Sequence, residues 1–252
     1  MVRTFALGLV AALGAQLTFA APTAEANQPA SYKPAPYKPS KPAPHKPAPK
    51  PKAPVCKNRT SQLANFDDLT GIPGSIVNDI PTPYKGLDYV GIGFTTVIST
   101  GTGLQPGISP HSGLNYAAIN LLTQQQGTPT LTTYYPGSNI DSFDLESFYF
   151  GCVVQLATGA AAVPTSCNVQ ITGYKGSDNS VSNAKQVCSQ QFQYNPTTAL
   201  ATVEQAFSGP VSKNCKNLDF AIVTFSLEGG SAALQSLGAL VLDDIKYSTC
   251  SK

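Results

Sequence analysis

Asn168-Val-Gln-Ile-Thr-Gly-Tyr174, then Lys175-Gly-Ser-Asp-Asn179, then Ala184-Lys-Gln-Val-Cys-Ser-Gln-Gln-Phe192: this stretch decides the fold class. Apolar and polar residues alternate through its first segment, which is the period of a half-buried strand. A Gly/Ser/Asp/Asn cluster follows, with the composition of a turn, and then a second short run. The same grammar repeats along the chain. It predicts strands over Leu87–Ile98, Leu131–Tyr135, Ser147–Leu156, Asn168–Tyr174, Ala184–Phe192, Ala201–Phe207, Phe220–Leu227 and Ala239–Tyr247, with Glu228-Gly-Gly-Ser231 as another turn. Short strands at this spacing predict an all-β fold, a two-sheet jelly-roll sandwich. Leu114–Leu122 and Ala232–Leu237 are candidates for short helices.

The cysteines support a stapled domain. All six lie between Cys56 and Cys250, and an even number in an exported chain reads as disulfides. Spacing alone leaves the connectivity open. The expected set is Cys56–Cys250, clamping the two ends of the domain, Cys152–Cys167, closing a hairpin, and Cys188–Cys215. Metal binding by these thiols is disfavoured, because no C-x-x-C pair is present and the chain has only two histidines.

Outward from the domain the composition changes. Residues 1–20 have the parts of a secretory signal: Arg3, an apolar run from Phe5 to Phe19, and small residues at Thr18 and Ala20. Cleavage is expected after Ala20, with Ala24-Glu25-Ala26 as the alternative. Residues 21–55 repeat a Lys-Pro-Ala-Pro theme. Proline at nearly every second position forbids helix and sheet, so a disordered, extended Pro/Lys-rich tether is expected. Six lysines there face one acid, whereas the 56–252 domain carries nine Lys and Arg against thirteen Asp and Glu. A basic arm on a mildly acidic body follows, either as a tether to an anionic surface or as a solvated linker. Asn58-Arg59-Thr60 is the N-glycosylation sequon, since Asn195-Pro-Thr197 is blocked by its proline.

Two matched units stand at the ends of the domain, Phe66-Asp67-Asp68-Leu69 and Leu242-Asp243-Asp244-Ile245. Neighbours in a strand face opposite ways, so each unit puts one carboxylate on the face of an apolar residue. Such a carboxylate must find donors or a cation. If the first and last strands lie side by side, Asp67, Asp68, Asp243 and Asp244 approach one another, and a structural Ca²⁺ is one way to hold them. The other is that these aspartates cap backbone N–H groups.

The chain resembles secreted fungal proteins with an uncharacterised domain. The resemblance rests on Phe66–Leu69, Pro81-Thr-Pro-Tyr84-Lys-Gly-Leu87, Phe143-Asp-Leu-Glu-Ser-Phe-Tyr-Phe150, Val169-Gln-Ile-Thr-Gly-Tyr174 and Leu242–Ile245, in that order. It implies a galactose-binding-like jelly roll of the kind used by carbohydrate-binding modules. It implies no activity and carries over no functional residue beyond the Asp pairs.

Catalysis is not expected. His111 is the only histidine of the domain and sits in a Pro/Gly loop without the setting of a nucleophile elbow. Carboxylates for glycoside hydrolysis would have to come from Asp141, Asp144, Glu146, Glu204 or Glu228, a choice any domain of this size offers. Sugar binding needs exposed aromatic rings. Tyr134 and Tyr135 are the leading pair, because adjacent strand residues cannot both face one core, and Tyr84 and Tyr89 are further candidates. The reading is a secreted, non-catalytic protein of the cell wall or another extracellular surface, with wall polysaccharide as its partner and carbohydrate binding as its activity. It expects no nucleic acid and no membrane span in the mature chain. A secreted effector or interaction protein is the alternative, and a polysaccharide hydrolase the third reading.

Overall fold

The computed structural model describes residues 56, 58–72, 77–97, 107–154, 162–197 and 204–252. The expected signal (1–20) and tether (21–55) lie outside the described residues. In chain order the strands are β1 (Arg59–Ala64), β2 (Asn78–Asp79), β3 (Asp88–Val90), β4 (Gly93–Thr96) and β5 (Asn115–Ile119). They continue with β6 (Thr130–Thr132), β7 (Ile140–Val154), β8 (Val163–Pro164), β9 (Cys167–Lys175) and β10 (Lys185–Tyr194). The last are β11 (Ala206–Phe207), β12 (Phe220–Leu227) and β13 (Gly238–Ser251). Two short α-helices, α1 (Leu121–Gln124) and α2 (Ala232–Ser236), and a 3-10 turn at Val181–Asn183 complete the described elements.

These strands form two antiparallel sheets, as expected. One runs β11-β7-β13-β5-β4-β2, with β1 on β13 and β8 on β7; the other runs β10-β9-β12-β6-β3. The stretch read first is the β9–β10 hairpin, paired from Lys175↔Lys185 to Cys167↔Tyr194. Its inward residues, Val169, Ile171, Phe192 and Tyr194, are buried. Across the sandwich Phe148 of β7 meets Phe192 edge-on at 5.0 Å, and Phe150 meets Tyr194 at 6.2 Å.

Strand β13 is the spine of the larger sheet. One edge pairs with β7 along its length. The other edge is shared: β5 takes Leu240–Leu242 and β1 takes Ile245–Cys250. The first and last strands therefore do lie side by side, and Asp243-Asp244 falls at the seam between the two partners.

The three disulfides have the expected partners, Cys56–Cys250, Cys152–Cys167 and Cys188–Cys215. The second does not close a hairpin, however. Cys152 is on β7 and Cys167 on β9, so it bolts one sheet to the other.

Three expectations about elements change. Leu87–Ile98 is not one strand: β3 belongs to the smaller sheet and β4 to the larger, and the chain crosses at Gly91. Gly91 has φ +64°, and a Cβ there would lie 2.3 Å from the Gly127 carbonyl oxygen, so only glycine makes the crossing. Residues 115–119 form a strand, not a helix. All five are buried, and a short, continuously buried run has no periodicity to separate the two states. Helix begins only after Asn120, whose side chain accepts from the Leu122 and Thr123 amides in a capping box. Finally, β7 starts at Ile140, seven residues before the alternation became legible, because its first half is buried almost throughout.

Candidate functional site

Both places singled out in the sequence, the Asp pairs and the Tyr134-Tyr135 pair, are built, and they are built differently. At the seam, β1 ends at Ala64 opposite Ile245, and β5 begins its pairing at Ala117 opposite Leu242. The register of β13 against β7 also shifts between Asp243 and Lys246. Both motifs leave extended geometry here, Phe66 at φ 62° and Asp244 at φ 44°. Aspartate tolerates this left-handed region, but a phenylalanine does not without help. Phe66 is held by a fully buried ring stacked on Tyr84 at 5.3 Å and by its amide donating to the Tyr84 hydroxyl oxygen at 3.0 Å.

Residues 111–115 fill the gap in the ladder with donors. Asp243 Oδ2 accepts from the His111 and Ser112 amides at 2.8 and 3.0 Å, and its Oδ1 from the Asp244 amide at 2.7 Å. Asp67 Oδ1 accepts from the Leu114 and Asn115 amides at 2.9 and 3.2 Å. The Ser112 hydroxyl lies 3.2 Å from Asp67 Oδ2 and 3.0 Å from Asp244 Oδ1, and its single proton serves one of them at a time. His111 Nδ1 sits 2.7 Å from Asp244 Oδ2. Gly113 is required at the centre: its φ is +50°, and a Cβ would lie 2.0 Å from Asp67 Oδ1.

Three of the four aspartates thus converge. The fourth, Asp68, turns away to the Tyr84 hydroxyl and the Lys85 ammonium, both at 2.6 Å. Those two bonds, Lys85 first, hold its carboxyl below the usual aspartate range. Asp243 goes the other way. It is wholly buried, and burial pushes its carboxyl up to about 7, against the three amides that lower it. Where the sequence left a cation or backbone capping open, the donors found are amides, a hydroxyl and an imidazole. Among the described residues no group of three or more His, Cys, Asp or Glu is placed to hold a metal ion.

The second place is an open cleft of about 720 Å³, lined among others by Tyr134, Tyr135, Asp141, Lys175, Asp219 and Lys252. Its rim is a turn of type II character. Pro136 and Gly137 (φ 79°) are the corner, and the Ser138 amide donates to the Tyr135 carbonyl at 3.1 Å. The turn presents both tyrosines half-buried. The Tyr134 hydroxyl donates to the Gly176 carbonyl, and burial, then the carboxylates of Asp219, Asp178 and Asp141, push it up to about 12. Asp219 Oδ2 accepts from the Gly176 amide at 2.7 Å, while Lys175 Nζ stands 3.7 Å from Oδ1. Burial raises the Asp219 carboxyl above the ordinary range. Asp141 is exposed and has no hydrogen bond or ion pair among the described residues.

Most other candidates are spoken for, Glu204 being exposed. Tyr84 and Tyr89 are not ligand-facing: each is only 5% exposed, and they pack with Phe66 in the core. Tyr89 looked available because its strand is three residues long and shows no alternation, and Tyr84 because it lies outside any strand, making only an isolated bridge with Leu87. Asp144 pairs with Arg59 and accepts from the Asn217 amide, Glu146 faces Lys246 at 3.6 Å, and Glu228 holds the Gln193 and Asn168 amides. Ser112 is bonded to aspartates, not to the His111 ring. Asn58 is exposed just before β1, where the sequon is accessible. Two groups went unread. Asp219 and Lys175 reach the cleft from elements far from Tyr135 in the chain, which no local motif signals. A surface stack of His111 on Tyr149 (3.4 Å) and Tyr149 on Phe207 (4.9 Å) is assembled from three separate segments.

No family model matches the sequence, and no curated protein matches it. Among solved structures the chain is similar to the crystal structure of a DUF4465 family protein from Bacteroides caccae. The match covers 79% of this chain and 95% of that one at 13% identity, with a TM-score of 0.42, a likeness too slight to carry an argument.

The disulfides fit an extracellular protein. Among the described residues no helix is long and apolar enough to cross a membrane.

Proposed function

We propose that this is a secreted, non-catalytic carbohydrate-binding protein of the cell wall or another extracellular surface, with its sugar site in the Tyr134-Tyr135 cleft. The observation that carries the reading is the cleft itself. Two adjacent aromatic rings stand half-buried at the mouth of an open cavity, beside carboxylates and lysines able to bond hydroxyls. Apolar sugar faces stack on such rings, and polar groups around them fix orientation. The non-catalytic reading is supported by the commitments of three of the candidate carboxylates: Asp144, Glu146 and Glu228 are paired or capped.

The test is retention of the purified chain on insoluble chitin, glucan and mannan. Retention on at least one polymer is expected. Tyr135→Ala should weaken it by about tenfold or more, the scale of one lost aromatic stacking contact, while the melting temperature stays within about two degrees. Tyr135 is the better probe, because its hydroxyl makes only a 3.5 Å contact with the Gly86 carbonyl. Failure to bind any of the three polymers would sink the reading.

A further inference from the structure

We propose that the Tyr134-Tyr135 cleft selects a glycan bearing protonated amino groups, a glucosamine-type polymer, over its N-acetylated or neutral counterparts. This rests on the sugar-binding reading above and goes a step past it, to the charge of the ligand.

The charges lining the cleft balance only on paper. Asp141 and Asp219 face Lys175 and Lys252. Both lysines, however, are engaged with the protein. Lys175 Nζ leans between Asp219 (3.7 Å) and the Asn217 carbonyl (3.4 Å), and Lys252 Nζ donates to the Ser138 carbonyl at 3.3 Å. Asp141 has no such partner and lies open on β7 beside the two rings. Asp219 offers Oδ1 only a long contact, its Oδ2 being held by the Gly176 amide. Asp178 adds a third carboxylate to the field at the Tyr134 hydroxyl, although its own oxygens are tied into a turn by the Ser180 amide and the Asn183 side chain. Counted with Asp178, three carboxylates act around the rings against two lysine ammonium groups, and Asp141 is the one left without a partner among the described residues, so the field there favours a cation.

An ammonium suits that field in two ways. It can pair with Asp141, and it can sit against a tyrosine face, where the ring quadrupole attracts it. A sugar amine offers the cation on a ring whose flat apolar face stacks on the other tyrosine. An acetylated amine loses the charge and keeps the shape, so the pair of sugars isolates the charge alone. The lysines of segment 21–55 would repel a polycation, so any preference shown by the intact chain has to come from the domain.

The experiment is calorimetric titration of the intact chain with three oligosaccharides of equal length: fully deacetylated chitosan, N-acetylated chitin and a neutral β-glucan. The deacetylated sugar should bind about tenfold or more tightly than the acetylated one, with the advantage shrinking as salt screens it. Asp141→Asn should remove most of that advantage, weakening the deacetylated sugar by a clearly larger factor than chitin. Equal or tighter binding of the acetylated sugar, or a preference untouched by Asp141→Asn, overturns the charge selection and leaves the sugar site standing. No binding of any of the three removes both. Tyr135→Ala should weaken all bound sugars together, and selective loss of only the charged one would also count against a stacked sugar ring.

Discussion

The seam and the cleft use the same residue type in opposite ways. At the seam, Asp67 and Asp243 between them accept five backbone amides. In the cleft, Asp141 accepts nothing from the described protein. A carboxylate whose oxygens are filled from its own chain can order a loop but cannot select a ligand. A carboxylate left open beside two rings can do the second and contributes little to the first. The contrast separates two roles that a sequence prints with one letter. It also explains why residues 111–115 lie at the seam: they bring amides to the place where β1 gives way to β5, and the aspartates supply the acceptors.

The largest effect expected from breaking this contrast is on the seam side. Asp243→Ala would orphan three amides packed against β13, and a buried unmet donor costs about 1–3 kcal/mol. A loss of roughly 3 kcal/mol or more in chemical unfolding is therefore expected, with Asp67→Ala somewhat milder because it orphans two. Asp141→Ala should change stability by less than about 0.5 kcal/mol, the ordinary range for a surface change. If Asp141→Ala were the more destabilising of the two, the division of roles would be wrong.

A second effect, of comparable size only over the whole pH range, is set by pH. Asp243 rises from the ordinary 3.8 to about 7 on folding, so the folded state binds its proton more tightly than the unfolded state. Its contribution to stability is complete below about pH 4 and is lost as the pH rises through 7, since stability falls wherever the folded state holds the extra proton. At about 1.4 kcal/mol per unit of pKa, the full loss is of order 4 kcal/mol. Asp68, held low by Lys85 and Tyr84, gives a weaker slope of the opposite sign at more acid pH: its contribution is present above 3.8 and lost as the pH falls. Asp243→Asn keeps an oxygen for the amides and abolishes the titration. Unfolding curves from pH 4 to pH 8 should therefore show a declining wild type and a flatter variant, with the variant ahead at pH 8. A variant as steep as the wild type would assign the slope to another group.

Much of this was legible in advance for a physical reason. The β9–β10 hairpin and both turns are written in local alternation and turn chemistry, and the even cysteine count announces disulfides without fixing their partners. The adjacency of the two Asp pairs was legible as well, since matched ends of a sandwich tend to pair. Tyr134 and Tyr135 read as strand neighbours, but β6 ends at Thr132, and it is the turn at Pro136-Gly137 that leaves both half-buried. What was hidden depends on tertiary partners. Asn115–Ile119 carries no period because it is buried throughout, and Leu87–Ile98 conceals a change of sheet that only the approach of Gly127 to Gly91 reveals. Tyr84 and Tyr89 resemble exposed tyrosines until Phe66 folds over them. The donors of residues 111–115 are backbone amides, which no residue letter announces.

The smallest expected effect bears on the cation that matched aspartates invite. One observation favours a cation at the seam: Asn115 Oδ1 and Thr96 Oγ1, on residues that face each other in the β4–β5 register, are buried and have no hydrogen-bond partner. A calcium ion would use such neutral oxygens, but it asks for six to eight ligands, carboxylates among them. Here Asp67 and Asp243 already receive amides, Asp244 faces an imidazole, and Asp68 is bound to Lys85. The donors outweigh the two orphaned oxygens, so chelation with EDTA at neutral pH should leave the melting temperature unchanged to within about a degree. A fall of several degrees, restored by Ca²⁺ but not by Mg²⁺, would mean that those two oxygens and Asp67 form a cation site. The seam would then owe its order to a metal as well as to its amides.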